Sequence, residues 1–143
     1  MLIDLRCALF RSEEDRERSE RAMHYILHAL CCVDYEYLLA HPETPSVYAS
    51  GVRYQRPGKP EWFDVPTALS ARYADCKDLA CWLVAEHWLR RQMRSRPLIR
   101  YRLARLPNGK MFSLYHVLVQ RPDGSQEDPS AALGMGGADG MAA

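Results

Sequence analysis

The chain has 143 residues, a formal net charge of +1, and an ordinary composition in which about half the residues are hydrophobic and a quarter charged. Such a length fits one domain that buries most of its unfolded surface without a staple. The near-neutral balance supplies no global basic field, and no run reaches the roughly 18 apolar residues of a membrane span, so neither a nucleic-acid nor a membrane partner is expected.

In chain order, Ser12 is a candidate N-cap. Glu13, Glu14 and Asp15 follow it, where carboxylates suit the positive end of a helix. Met23, Ile26, Leu27, Leu30, Val33, Tyr37 and Leu38 then recur at helical spacing. The pattern predicts one long helix over 12–40, or two with a break near Cys32-Val33, ending before Pro42. From His41 to Tyr73 the chain is rich in proline yet aromatic, with Tyr48, Tyr54, Trp62, Phe63 and Tyr73. A structured loop packed on the core is expected there, of the kind that usually carries function.

A second helix is predicted to start at Asp75 or Cys76. Asp75 caps it, and Asp78 completes a variant of the capping box. Leu79, Ala80, Leu83 and Val84 form its buried stripe, Arg90, Arg91 and Arg94 occupy its last turns, and Pro97 closes it. The remainder alternates as antiparallel strands: Ile99 to Ala104, a hairpin loop over Pro107-Asn-Gly-Lys110, an apolar strand over Met111–Gln120, and a turn over Arg121–Ser125. A short third strand covers Gln126 to Asp128. After Leu133 the sequence has no pattern, and 134–143 is expected to be a flexible tail. The fold class is therefore α+β, a single domain over 1–133 with a helical N-terminal part (12–40) and a core (60–133).

Met1-Leu-Ile-Asp-Leu-Arg turns charged too early for a secretory signal. The five cysteines are an odd number without framework spacing, which points to reduced thiols in a cytoplasmic setting.

Three residues in this order carry chemistry. Cys76 stands at a helix start, where unpaired N–H groups and the helix dipole stabilise negative charge. The thiolate is the nucleophilic form of cysteine, and the same N–H groups suit an oxyanion. His116 lies within the apolar strand, on the face of Leu114 and Leu118 by alternation, and a buried imidazole needs a polar partner. Asp128 follows twelve residues later, across a Pro-Asp-Gly turn, where a hairpin returns it to the level of His116. Nucleophile, base and orienting carboxylate are thus present in one sequence order. Taken singly, each is more often a core thiol, a satisfied core histidine or a turn aspartate. Their conjunction carries the argument.

The segments Ala74-Asp-Cys-Lys-Asp-Leu-Ala80, Tyr115-His-Val-Leu-Val119, Pro122-Asp-Gly124 and Glu127-Asp-Pro129 together resemble the transglutaminase-like superfamily. The likeness is to its bacterial cysteine-peptidase-like branch, where Asp-Cys precedes an acidic residue, more than to animal transglutaminases. It covers about residues 60 to 133. Ala74 stands where a glycine is frequent. The resemblance implies a papain-like core, a nucleophile helix packed on a small antiparallel sheet, with Cys76, His116 and Asp128 as the catalytic triad. It implies acyl transfer through a thioester, as a peptidase or an amine-transferring enzyme, on a protein or peptide substrate and without a cofactor. Glu61-Trp62, Pro66-Thr67 and Asp128-Pro-Ser130 extend the likeness to small proteins encoded among phage head and tail genes. On that likeness a virion-associated location and phage structural partners stand beside the cytoplasmic one. A non-catalytic assembly module on the same fold is the alternative function.

Trp62, Asp75 and Tyr115 are the candidate substrate-binding residues. Trp62 serves as a wall of the site or as a core tryptophan, and Asp75 with Asp78 serves to steer a cationic group or only to cap the helix. His24 and His28 share a helix face, and with one cysteine of Cys31-Cys32 at the next turn they supply three ligands, but no fourth has the usual short spacing, so no metal site is expected. Cys81 faces another side of the helix from Cys76 and is expected in the core. His87, about 16 Å from Cys76 by helical rise, is too far to be the base. The arginines between Arg90 and Arg105 form a solvated face or a surface for an anionic partner. Cys7, Cys31 and Cys32 leave open a regulated thiol.

Overall fold

A computed structural model describes residues 13–56, 61–105, 107–109 and 111–136. Helix α1 runs unbroken from Glu13 to Ala40, with no interruption at Cys32-Val33. Its buried residues Met23, Leu27, Cys31 and Leu38 recur at intervals of four, four and seven positions, one stripe facing the rest of the molecule. Ser12 and Cys7 lie outside the described residues.

The proline-rich stretch contains more regular structure than a loop. A 3-10 turn over Val47–Ala49 leads to β1 (Arg53–Tyr54), then α2 (Val65–Ala71) and β2 (Tyr73–Ala74). β1 and β2 pair in parallel, Arg53 with Tyr73 and Tyr54 with Ala74. Pro66 marks a break by sequence, but it falls in the first turn of α2, where the missing N–H has no intrahelical partner to lose. Asp64 caps that helix by accepting the Thr67 N–H at 3.1 Å. The buried Asp34 of α1 accepts the Val65 N–H at 2.9 Å. Arg72 ends α2 in the left-handed region, with φ 68°.

Helix α3 spans Cys76–Arg90, and every residue from Cys76 to His87 is buried. A helix covered on all sides sits in the middle of a fold, and α3 packs against α1 on one side and the main sheet on another. It ends earlier than expected. Gln92 turns into the left-handed region (φ 49°) and the Met93 N–H returns to the His87 carbonyl at 2.9 Å.

Pro97, expected to close α3, instead lies in a strand. β3 (Arg96–Arg105), β4 (Met111–Gln120) and β5 (Gln126–Glu127) form an antiparallel sheet in that order. β3 is an edge strand, where a missing donor is tolerated. Arg100 pairs with His116, and Glu127 with Val119. Both faces of β4 are covered: Val117 and Val119 are fully buried on one and His116 on the other, with Leu114 and Leu118 half-buried.

The third strand stops one residue short of Asp128. Pro129–Ala132 form a short helix, α4, with Asp128 as its N-cap and Pro129 in its first turn. The start of the expected tail is anchored here. The Leu133 carbonyl accepts the Tyr54 N–H at 3.0 Å and the Met135 N–H reaches the Ser130 carbonyl at 2.9 Å. Residues 137–143 lie outside the described ones.

Candidate active site

Local chemistry fixes the start of α3. The Asp75 carboxylate accepts the N–H groups of Lys77 (3.0 Å) and Asp78 (3.5 Å), while Asp78 Oδ2 accepts the Asp75 N–H at 3.2 Å. That reciprocal pair is the capping box expected from the spacing of the two aspartates. Cys76 is the first residue of the helix and is 8% exposed. Its thiol is free, as are those of Cys31, Cys32 and Cys81.

His116 is brought to Cys76 by β4, and Asp128 to His116 by the β4–β5 turn. His116 Nε2 lies 2.9 Å from Asp128 Oδ2. Cys76 lies close enough to the imidazole to influence its charge. With Nε2 engaged, Nδ1 is the nitrogen left for sulfur. Burial opposes a charge on His116, but the hydrogen bond to Asp128, the nearby Cys76 side chain and the charge of Asp128 outweigh it and raise the imidazole to about 9. Asp128 moves the other way. Burial disfavours its charge, yet His116 and the N–H groups of Ala131 and Ser130 hold it below the usual carboxylate range.

A further network holds β5, and with it the approach to Asp128. Tyr48 donates to Glu127 Oε1 at 2.6 Å, and Arg121 pairs with the other carboxylate oxygen. His87 is buried elsewhere on α3, its Nδ1 2.8 Å from Ser95 Oγ. It belongs to this structural network rather than to Cys76, as its distance along the helix predicts.

Lys77 has no counterpart among the residues singled out by sequence. Its side chain is 1% exposed, and its ammonium contacts Asp75 Oδ2 at 2.6 Å and Asp78 Oδ1 at 3.1 Å. Each carboxylate oxygen of the two aspartates therefore has an internal donor, because Asp78 Oδ1 also accepts the Phe63 N–H at 3.0 Å. The neighbouring Trp62 ring lies 5.2 Å from the ammonium. Of the two roles open to Asp75, steering a cationic group or capping the helix, the capping contacts are present, and the carboxylate also meets Lys77. The only hint in the sequence was a lysine between two aspartates, a pattern that is normally a solvated face.

Tyr115 is 39% exposed and close enough to feel the charges of Lys77, Asp75 and Cys76. Burial raises its phenol above the ordinary value. Trp62 is 36% exposed. Both remain at the surface beside the Cys76 end of α3.

Cys81 donates its thiol to the Leu27 carbonyl at 3.4 Å and is fully buried, a core residue. Cys31 and Cys32 diverge, the first buried and the second exposed with its sulfur 3.8 Å from His28 Nε2. Among the described residues no group of three or more His, Cys, Asp or Glu is arranged to hold a metal ion. The arginines are partly occupied: Arg96 donates to Gln120, Arg100 to Gln126 and Arg90 to the Thr44 carbonyl. No helix among the described residues is long and apolar enough to cross a membrane. Comparison with family models, curated proteins and solved structures gives no match for this chain.

Proposed function

We propose that the chain is a cysteine-nucleophile acyl-transfer enzyme of papain-like, transglutaminase-like architecture. One observation carries the proposal: an imidazole bonded to Asp128 through Nε2 at 2.9 Å, which leaves Nδ1 for a cysteine that stands nearby at the first position of a capped helix. In the reaction the Cys76 thiolate attacks an amide carbonyl, and the oxyanion forms near the Cys76 N–H, which the Asp75 cap does not occupy. The His116 imidazolium then gives its proton to the departing amine, and the C–N bond breaks to leave a thioester. Neutral His116 next takes a proton from water or from an acceptor amine, whose attack releases the acyl group and restores the thiolate. Asp128 keeps the ring in the required orientation throughout.

Alkylation of Cys76 by iodoacetamide tests the reading. Cys76 is expected to be alkylated, and His116→Ala is expected to slow that alkylation at neutral pH, because the imidazole takes up the thiol proton. Equal rates in the two proteins overturn it.

A second reading, an assembly or docking module on the same fold, draws on α1, whose solvent side exposes Tyr25, Val33 and Leu39. The phage-particle setting implied by the sequence likeness belongs to this reading. Equal assembly by the parent and Cys76→Ala proteins, with neither cleavage nor crosslinking of candidate neighbours, would favour it.

A further inference from the structure

The charges beside the nucleophile are already matched within the protein. Asp75 and Asp78 have all four carboxylate oxygens engaged by the Lys77 ammonium or by backbone N–H groups of residues 63, 75, 77 and 78. Their side chains are 15% and 3% exposed, against 1% for Lys77. Within that cluster a cationic or anionic side chain finds no open partner among the described residues and gives up its hydration for nothing. What the surface does offer is aromatic. Trp62 lies over the Lys77 ammonium, one residue from Cys76, and Tyr115 adjoins the base in sequence and borders the same charge cluster. Each keeps more than a third of its surface exposed, whereas Trp82 of α3 is buried at 1%.

We infer that Trp62 and Tyr115 select an uncharged aromatic side chain on the acyl group presented to Cys76. This rests on the acyl-transfer reading and adds the substrate class. A flat apolar ring can pack against an indole and a phenol without breaking the Lys77–Asp75–Asp78 contacts, and aromatic pairs gain beyond the area they cover. Lys77 thereby acts at a distance from the chemistry: by saturating the two aspartates, it removes them from substrate recognition.

The test uses the full chain carrying Cys32→Ser, so that the exposed thiol of α1 does not compete. N-acetylated phenylalanyl, lysyl and glutamyl chloromethyl ketones are compared, with the Cys76 adduct followed by peptide-resolved mass spectrometry. Each rate is divided by the same protein's iodoacetamide rate. The phenylalanyl probe is expected to lead the other two by about tenfold, the scale at which an apolar pocket discriminates. Trp62→Ala and Tyr115→Ala, both at exposed positions, are expected to reduce that lead to about threefold or less. Equal rates, a lead for the lysyl or glutamyl probe, or a phenylalanyl lead that survives in both variants overturns the inference while leaving the nucleophile intact. A Cys76 inert to iodoacetamide and to every probe removes the acyl-transfer reading and this inference together.

Discussion

The two oxygens of Asp128 serve different partners. Oδ2 lies 2.9 Å from His116 Nε2, while Oδ1 accepts the N–H groups of Ser130 at 3.0 Å and Ala131 at 3.1 Å. One carboxylate therefore caps α4 and orients the imidazole. The cap fixes the rotamer that the imidazole needs, and the backbone N–H groups keep the carboxylate ionised, which in turn favours a charged ring.

Substitutions at Asp128 separate these two duties. Asp128→Asn keeps an oxygen for the cap but removes the charge. The protein is expected to fold, with the His116 midpoint, read by NMR, falling from about 9 toward the ordinary value near 6.5. Asp128→Ala loses the cap as well and is expected to be less stable than the Asn variant by about 1 kcal/mol in urea. A His116 midpoint unchanged in both variants would show that Asp128 does not set the charge of the ring.

The His116–Asp128 pair should confine part of the stability to a pH window. His116 is raised in the folded state to about 9, so its contribution is complete below its ordinary value and is lost as pH climbs through about 9. Asp128 is depressed, so its contribution is complete above the ordinary carboxylate value and is lost as pH falls through its lower folded one. Between roughly pH 4 and 6.5 both are present. Thermal melts of the parent and His116→Gln proteins should differ most there, and their separation should shrink from about pH 6.5 upward and be largely lost above about 9. A separation that grows with rising pH contradicts the assignment.

Lys77 is the buried charge with most to lose. Lys77→Met leaves Asp75 and Asp78 facing each other without a cation, and breaking a buried pair in this way costs about 3–5 kcal/mol. Burial and the charge of Asp75 already push Asp78 up to about 7. Without the lysine it should rise further, so protonation relieves the repulsion as pH falls. Urea denaturation of the variant is expected to show a larger deficit at pH 8 than at pH 5. A pH-independent deficit would mean that lost packing, not charge, dominates.

These residues also show which parts of the fold were legible in the sequence. The cap of α3 depends on two aspartates three positions apart, a local relation, and it was read from their spacing. Cys76 and His116 sit on elements with clear patterns, a capped helix start and an apolar strand, whereas Asp128, placed by sequence on the third strand, lies one residue past it as the cap of α4. Lys77 was not legible, since its burial depends on the segment carrying Trp62 and Phe63 folding over the helix start, a contact between residues 15 positions apart. Helices α2 and α4 were hidden by Pro66 and Pro129, which signal turns in a sequence but suit the first turn of a helix. Helix α3 was drawn too long because its arginines fit a helix end, whereas Gln92 turns the chain into the left-handed region before Pro97 is reached.

Asp34 ties α1 to α2 and gives a test of the scaffold apart from the site. It is fully buried, its Oδ1 accepts the Val65 N–H at 2.9 Å, and its Oδ2 has no hydrogen-bond partner among the described residues. Burial pushes the carboxyl well above its ordinary range, and the charges of Asp64 and Asp78 add to the effect against the opposing Val65 bond. A group raised in this way costs stability as pH climbs from its ordinary value, about 3.9, toward the folded one, because the unfolded chain ionises first. Asp34→Asn keeps the acceptor and removes the titration. It is therefore expected to match the parent near pH 4 and to gain on it steadily toward pH 7. Asp34→Ala strands the Val65 N–H and is expected to lose about 1–3 kcal/mol. Urea midpoints of the three proteins across that range decide the matter: an Asn variant that falls behind the parent as pH rises would mean that Asp34 is ionised in the fold and that its charge holds α2 in place.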